Sequence, residues 1–304
     1  MIYQAEKCSP FVIKERNKDG LDYIEIENVH GFSVAKTFDC GQCFRFERVE
    51  GSPHEVEFSG VAFGRFLSFG QDGDILTIYN CTKDFFEEKL YFYLGLCDDY
   101  EAIRRDILMR CKSEYMRSVS EYGEGIRILR QEKWETLCSF IISQNNNIPR
   151  IKRIIRALSE KCGERIDCAE LHEHGAGAAE YSFPTPEAVM ALGIIGLREL
   201  KVGFRASYIF DAAEKVASGE LDLDKISELP FDDCAASLMK IKGVGMKVAS
   251  CTALFCMEKF DAFPIDVWIR RVLEEKFPKD FDPKSLGEYA GIAQQYMFYG
   301  ARFD

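Results

Sequence analysis

The stretch Leu238–Ala249, LMKIKGVGMKVA, is read as helix, tight turn, helix. Gly243 and Gly245 bracket Val244, so the backbone can turn sharply where no Cβ stands in the way. The second helix then opens with its first N–H groups unpaired. Together with the positive end of the helix dipole, they face any anion held at the turn. A plain tight turn between packed helices would use the same two glycines, but Lys240, Lys242 and Lys247 crowd around this one and favour a phosphate. Lys247 falls in the first turn of the second helix, where a cation opposes the dipole. That field, with partial burial, lowers an amine's pKa and leaves more of the free base that acts as a nucleophile. A further phosphate contact is the alternative reading of the same lysine.

Working outward, Phe263-Pro264-Ile265-Asp266-Val267 sets Asp266 just before an amphipathic helix containing Val267, Arg271 and Leu273. Asp is a good N-cap, so capping alone would explain it. Nearly everything from Gly125 onward carries helical periodicity: Trp134–Gln144, Arg150–Leu158, Glu187–Leu192, Ala206–Ser218, Cys234–Lys240, Met246–Lys259 and Val267–Glu275. Asn147 can cap the second of these, with Pro149 in its first turn. Leu171–Phe183, with two glycines and prolines just beyond, reads as a loop or insertion. Upstream the texture is different. Tyr23–Glu27 alternates apolar and polar residues, Glu55–Phe69 is rich in Val and Phe, Gly70–Asp74 is a turn cluster, and Ile75–Tyr79 is the return strand. Phe85–Leu94 and Asp99–Met109 then read as helices. The expected architecture is α+β, in two domains: residues 1–124 form an antiparallel sheet backed by helices, and residues 125–304 are helical.

With 304 residues, 47% of them hydrophobic and 29% charged, the chain has ample material for a core. No apolar run reaches the roughly 18 residues of a membrane span. Met1–Pro10 is charged and lacks an apolar segment of the secretory kind, and the twelve cysteines are scattered. Reduced thiols and a cytoplasmic or nuclear location are therefore expected. The net charge of −11 argues against a general polyanion binder. Most of the excess acid lies in the first 124 residues, however, and Ile141–Ser159 holds Arg150, Lys152, Arg153 and Arg156 with no acid at all. A local cationic groove is compatible with the overall charge.

A glycine hairpin with Lys at its exit, an apolar helix and then Pro-Ile-Asp resembles the helix-hairpin-helix base-excision DNA glycosylases, in which the Lys marks the bifunctional members. Other segments narrow the resemblance to 8-oxoguanine DNA glycosylase/AP lyases. They are Gly41-Gln42-Cys43-Phe44-Arg45, Arg127–Gln131, Ser143-Gln144-Asn145-Asn146-Asn147 with Arg150, Gly203-Phe204-Arg205-Ala206 with Tyr208, and Ala293-Gln294 with Phe298. The resemblance implies a TATA-binding-protein-like antiparallel domain followed by the helical hairpin domain. It also implies roles: Lys247 as Schiff-base lysine, Asp266 as catalytic aspartate, and Cys251 beside the lysine against the flipped base. Gly41 would offer its carbonyl to the N7–H of 8-oxoguanine, with Phe298 stacking on the base and Gln294 reading its Watson–Crick edge. Asn145, Arg150 and Arg205 would fill the vacated space and bond the orphaned cytosine, with Phe204 as wedge and Gly243, Val244 and Gly245 on the DNA phosphates. These roles suit an enzyme that must extrude a base from duplex DNA.

The sequence departs from the resemblance in places. Trp268 stands where eukaryotic members have His, and the wedge is Phe where Tyr is usual. No cysteine quartet follows Cys251 and Cys256, which argues against an iron–sulfur cluster, and Cys40-x-x-Cys43 is a lone pair unsuited to zinc. His30, His54, His172 and His174 are expected on the surface or in loops. No cofactor is expected for catalysis, though the carbonyls of Met239, Ile241 and Val244 are candidates for a structural cation. The expected partner is double-stranded DNA containing 8-oxoguanine, with no membrane, bound by a monomer. The rival readings are a glycosylase of this superfamily for another damaged base, which Gly41 and Phe298 oppose, and a non-catalytic DNA-binding module, which Lys247 and Asp266 together oppose.

Overall fold

A computed structural model describes residues 11–177 and 180–303. Six antiparallel strands form the first lobe: β1 (Val12–Lys18), β2 (Leu21–Glu27), β3 (Phe46–Arg48), β4 (Val56–Ala62), β5 (Arg65–Asp72) and β6 (Ile75–Tyr79), in the order β1-β2-β6-β5-β4-β3. Period-two alternation sends Ile24 and Ile26 of β2, Leu67 and Phe69 of β5, and Leu76 and Ile78 of β6 to one face, all fully buried. Registers Ile24↔Ile78 and Phe69↔Ile78 stack them across the sheet, and Phe38 from the short helix Val34–Phe38 closes that face 4.5 Å from Phe46 and 5.0 Å from Phe69. Each such side chain contributes about 1.5–3 kcal/mol.

Several details differ from the sequence reading. Glu55–Phe69 holds two strands, with a hairpin turn at Phe63-Gly64, and Gly70 lies inside β5, so the next turn falls at Gly73-Asp74. β1 and β3 went unread. Phe85–Leu94 is one turn of helix, a π-turn over Phe86–Leu90, and another turn. The stretch read as Leu171–Phe183 carries regular structure: the 3₁₀ segment Ala169–His174 runs into it, and its Glu180–Tyr181 pairs with Arg165–Ile166 in a two-strand ladder.

This segment covers the second face of the sheet, and it corrects the expectation for His174, while His54 keeps to a loop before β4. His174 is buried, stacks on Tyr79 at 3.7 Å between centroids, and meets the Glu57 carboxylate through Nδ1 at 2.8 Å. Glu57 also accepts from Ser68 at 2.5 Å and from Ser52. His54 bridges Asp72 at 2.6 Å and the Tyr79 hydroxyl at 2.8 Å. Burial pushes the Glu57 carboxyl up, but the hydrogen bonds from His174, Ser52 and Ser68 outweigh it, so its pKa lies below the ordinary value. A carboxyl depressed in the folded state contributes stability above its unfolded pKa, and this is lost as pH falls through the folded value. Glu57→Gln should therefore destabilise by about 1–3 kcal/mol at neutral pH, because three donors lose their anionic acceptor. The gap to wild type should close as pH drops below the ordinary carboxylate range. Melting temperature measured against pH for both proteins checks this; a constant gap down to acid pH would refute it.

The second lobe is helical, and its core gathers Leu137–Ile142 (on the helix Lys133–Ser143), the face Ile151, Ile154, Ile155 and Leu158, and Val248–Cys256. The helices Tyr100–Arg110 and Glu114–Tyr122 pack into this core, as do Cys40 and Phe44 reaching over from the sheet lobe. Polar ties join the lobes. Arg127 donates to the Gly31 and Asp98 carbonyls at 3.0 Å each, and its guanidinium stacks 4.3 Å from the Tyr100 ring centre. Arg45 meets Glu135 at 3.3 Å, and burial raises the Glu135 carboxyl to about 7 against the pull of Arg45. No helix of the described residues is long and apolar enough to cross a membrane, and the eleven cysteines among them are all free.

Candidate active site

The helix Met246–Cys256 opens at Gly245, and no side chain bonds its first N–H groups. The turn ahead of it requires Gly243: its φ is +75°, and a Cβ there would clash with the ring of Tyr208, 2.3 Å from Cε2. The Lys242 N–H donates to Asp211 at 2.8 Å, anchoring the hairpin to the helix Ala206–Ala217. Free amides, an open Gly245 and exposed Lys240 and Lys242 leave the turn ready for an anion.

In the first turn of that helix, Lys247 points at the end of the helix Lys133–Ser143. Its Nζ lies 3.4 Å from Ser143 Oγ and 5.4 Å from the centre of the Phe140 ring. Cys251, one turn further, is buried. Burial raises its thiol pKa, Lys247 pulls it down and Asp266 pushes it up, so all three groups share one field. Asp266 caps the helix Val267–Lys276, accepting from the Ile269 N–H at 2.8 Å through one oxygen. The walls of a single small cleft bring together Gly41, Lys247, Cys251, Asp266, Gln294 and Phe298. Phe140, Phe255, Pro264 and Gln295 complete it; Pro264 belongs to the Pro-Ile-Asp motif, and the other three escaped the sequence reading. They sit in strongly apolar or amide-rich helical runs where nothing local marks them from core residues.

Gly41 has φ +78°, and a Cβ there would lie 3.0 Å from Cε1 of Phe298. Gln294 is buried, and its Oε1 has no hydrogen-bond partner. A buried acceptor left unpaired costs about 1–3 kcal/mol, so the cleft is built around a donor that a ligand would bring. A larger groove of about 770 Å³ lies elsewhere, between the helix Ile148–Cys162 and a wall that includes Arg45, Glu47, Glu180 and Tyr181. Its Lys152 amine is held by the Glu47 carboxylate at 2.9 Å and the Phe46 carbonyl at 2.7 Å, whereas the motif residues gather in the smaller cleft.

The remaining predicted residues form a second group beside the hairpin. Phe204 is 53% exposed, with its ring edge-on to Tyr208 at 5.8 Å and the Arg205 guanidinium 4.5 Å from its centre. Asn145 is exposed in a left-handed conformation, φ +47°. Arg150 is exposed and donates to the Lys201 carbonyl at 3.2 Å. Arg205 differs from them: it is 2% exposed and donates to the carbonyls of Val202 at 3.1 Å, Asn145 at 2.8 Å and Gln144 at 2.8 Å. Burial and the neighbouring Arg150 charge lower its pKa. Its guanidinium buttresses the Asn145 turn, with four of its five N–H donors aimed at those carbonyls. Trp268 is 44% exposed just past Asp266.

The class these features define is the helix-hairpin-helix base-excision DNA glycosylases. Residues 138–285 match the HhH-GPD superfamily of base excision DNA repair proteins, and residues 24–137 match the N-terminal domain of 8-oxoguanine DNA glycosylase. The Clostridium acetobutylicum 8-oxoguanine glycosylase/lyase, solved with double-stranded DNA containing cytosine opposite 8-oxoguanine, superposes with a TM-score of 0.86 at 35% identity over 96% of this chain and 98% of that one. The Saccharomyces cerevisiae N-glycosylase/DNA lyase is 36% identical over 54% of this chain and 45% of its own, so the match spans less than half of that relative. An Arabidopsis thaliana N-glycosylase/DNA lyase is 27% identical over 86% of this chain and 75% of its own. The chain belongs to the 8-oxoguanine DNA glycosylase family, and the enzyme class that goes with it is DNA glycosylase/AP lyase.

Proposed function

We propose that this protein flips 8-oxoguanine out of duplex DNA, excises it through a Schiff base on Lys247 and cuts the strand by β-elimination, with cytosine the preferred opposite base. The observation that carries the reading is the cleft itself, where Lys247, Asp266, Gly41, Phe298 and the unpaired Oε1 of Gln294 line one space. The Lys247 amine gives its lone pair to C1′ as the glycosidic bond breaks, and that bond's electrons leave on the base. The sugar ring opens to an imine, loss of a C2′ proton follows, and the 3′ phosphate departs. The Asp266 carboxylate offsets positive charge building on the sugar. Gly41 contributes a carbonyl to the N7–H that guanine lacks, Gln294 Oε1 accepts from the base edge, and Phe298 stacks. The cleft of about 50 Å³ is far smaller than a pocket enclosing a ligand, so its aromatic walls must part as the base enters.

The hairpin amides at Gly243 and Gly245 would hold backbone phosphates, whereas the expected Val244 N–H is already taken up within the turn. The carbonyls of Met239, Ile241 and Val244 are hard neutral donors suited to a cation bracing the turn, although that of Ile241 also accepts the Val244 N–H at 3.1 Å. Phe204 suits the wedge. Borohydride trapping on a duplex with 8-oxoguanine opposite cytosine tests the whole reading: a covalent adduct on this chain is expected, and base release without one would remove the lyase step.

Opposite-base choice should rest chiefly on Arg150, the arginine whose fork is exposed, with Arg205 holding the Asn145 turn. Cytosine offers acceptors at O2 and N3, whereas adenine presents a donor at N6. Each charged hydrogen bond lost is worth about 1.5–3 kcal/mol, so excision opposite cytosine should be at least tenfold faster than opposite adenine. Arg150→Met should erase most of that preference by slowing the cytosine reaction. Single-turnover excision opposite each of the four bases measures it; equal wild-type rates opposite cytosine and adenine would sink the assignment.

A further inference from the structure

The turn carrying Gly41 is tied down on both sides. Gln295, next to Gln294 on the helix Ala290–Phe303, is 2% exposed and donates its amide to the Cys40 carbonyl at 2.6 Å. Seven residues further along the same helix, Arg302 donates to the Asp39 carbonyl at 2.7 Å. On the far side, Gln131 donates to the Gln42 carbonyl at 2.8 Å. The Gln42 side chain bridges the Thr37 and Arg127 carbonyls at 2.9 and 2.8 Å and accepts the Leu129 N–H at 2.9 Å. Among the described residues no donor meets the Gly41 carbonyl itself. The planes of the flanking peptides are therefore pinned through the carbonyls of residues 40 and 42, and the peptide between them can only follow. That restraint matters because Gly41, at φ +78° with no Cβ, has little preference of its own.

We propose that Gln295, seconded by Arg302, is a positioning residue for base discrimination. It aims the untied Gly41 carbonyl at the flipped base by holding the peptide immediately before it. This rests on reading Gly41 as the group that tells 8-oxoguanine from guanine. The clamp comes from the same helix that supplies Gln294 and Phe298, so the three elements of the base pocket are fixed relative to one another by one rigid body. Gln295 touches no reacting atom and acts only through the Gly41 turn.

The experiment compares wild type, Gln295→Met and Arg302→Met in two single-turnover assays. One is base release from 8-oxoguanine opposite cytosine; the other is β-elimination at a preformed abasic site, which needs no base recognition. Gln295→Met keeps the side-chain length and removes the donor, and it should slow base release about tenfold, the effect of one well-placed hydrogen bond. β-Elimination should stay within about twofold of wild type, and Arg302→Met should show the same split more weakly. Loss of both activities in parallel would make Gln295 a packing residue and overturn the proposal, as would no change in base release. Should Gln295→Met fail to fold, Arg302→Met decides by the same criterion. If the wild type releases no 8-oxoguanine at all, the proposed function fails and not the clamp.

Discussion

Lys247→Gln is expected to abolish both base release and borohydride trapping, lowering single-turnover excision by roughly four orders of magnitude or more, as removal of a covalent nucleophile does elsewhere. Glutamine is long enough to remain beside Ser143 and Phe140, the two groups that Lys247 approaches at 3.4 and 5.4 Å. It also removes a cation from the first turn of a helix, where the dipole disfavours one, so stability should change by no more than about 0.5 kcal/mol. DNA affinity should survive, because the hairpin amides and the exposed Lys240 and Lys242 do not depend on the nucleophile. The measurements are excision rate, trapping yield, Kd for the lesion duplex and melting temperature on the same preparation. An adduct persisting in this variant would move the nucleophile elsewhere on the chain.

Asp266 offers the second large effect and a way to separate two roles of one carboxylate. Its Oδ1 caps the helix Val267–Lys276 through the Ile269 N–H, and Asn caps as well as Asp does. Asp266→Asn should therefore leave stability nearly unchanged while slowing excision by about 10²–10³-fold, the usual cost of losing a preorganised charge at a transition state. Asp266→Ala should lose the same activity and about 1 kcal/mol of stability besides, because the N–H is left without its acceptor. Near-normal excision by the Asn variant would reduce Asp266 to a helix cap.

How legible each part was follows from the range of the forces that make it. The hairpin and the Asp266 cap were readable because their signals are local: a glycine needed for φ +75° at residue 243, and an oxygen three residues ahead of the N–H it caps. The strands β4 and β5 were blurred into one because both faces are covered, one by Phe38 and its neighbours and the other by the His174 segment. Their burial is nearly continuous, and the period-two signal is lost. The histidine misreading has the same origin. His174 is an acceptable loop residue by itself and becomes a buried partner only when a carboxylate 117 positions away folds under it.

Arg205 shows the limit most directly, since a motif can name an arginine without saying which acceptors it meets. The fold turns its donors onto three backbone carbonyls and leaves Arg150 as the exposed fork. By itself the sequence determined the two-lobe α+β plan, the hairpin and the Asp266 cap, because dihedral freedom, capping and periodicity act within a few residues. Only the tertiary structure decided that Gly41, Lys247, Asp266, Gln294 and Phe298 share one cleft, that Gln294 Oε1 is left unpaired in it, and that Gln295 grips the Gly41 turn. Burial and hydrogen-bond satisfaction are properties of neighbours, and here the neighbours come from segments up to 263 residues apart.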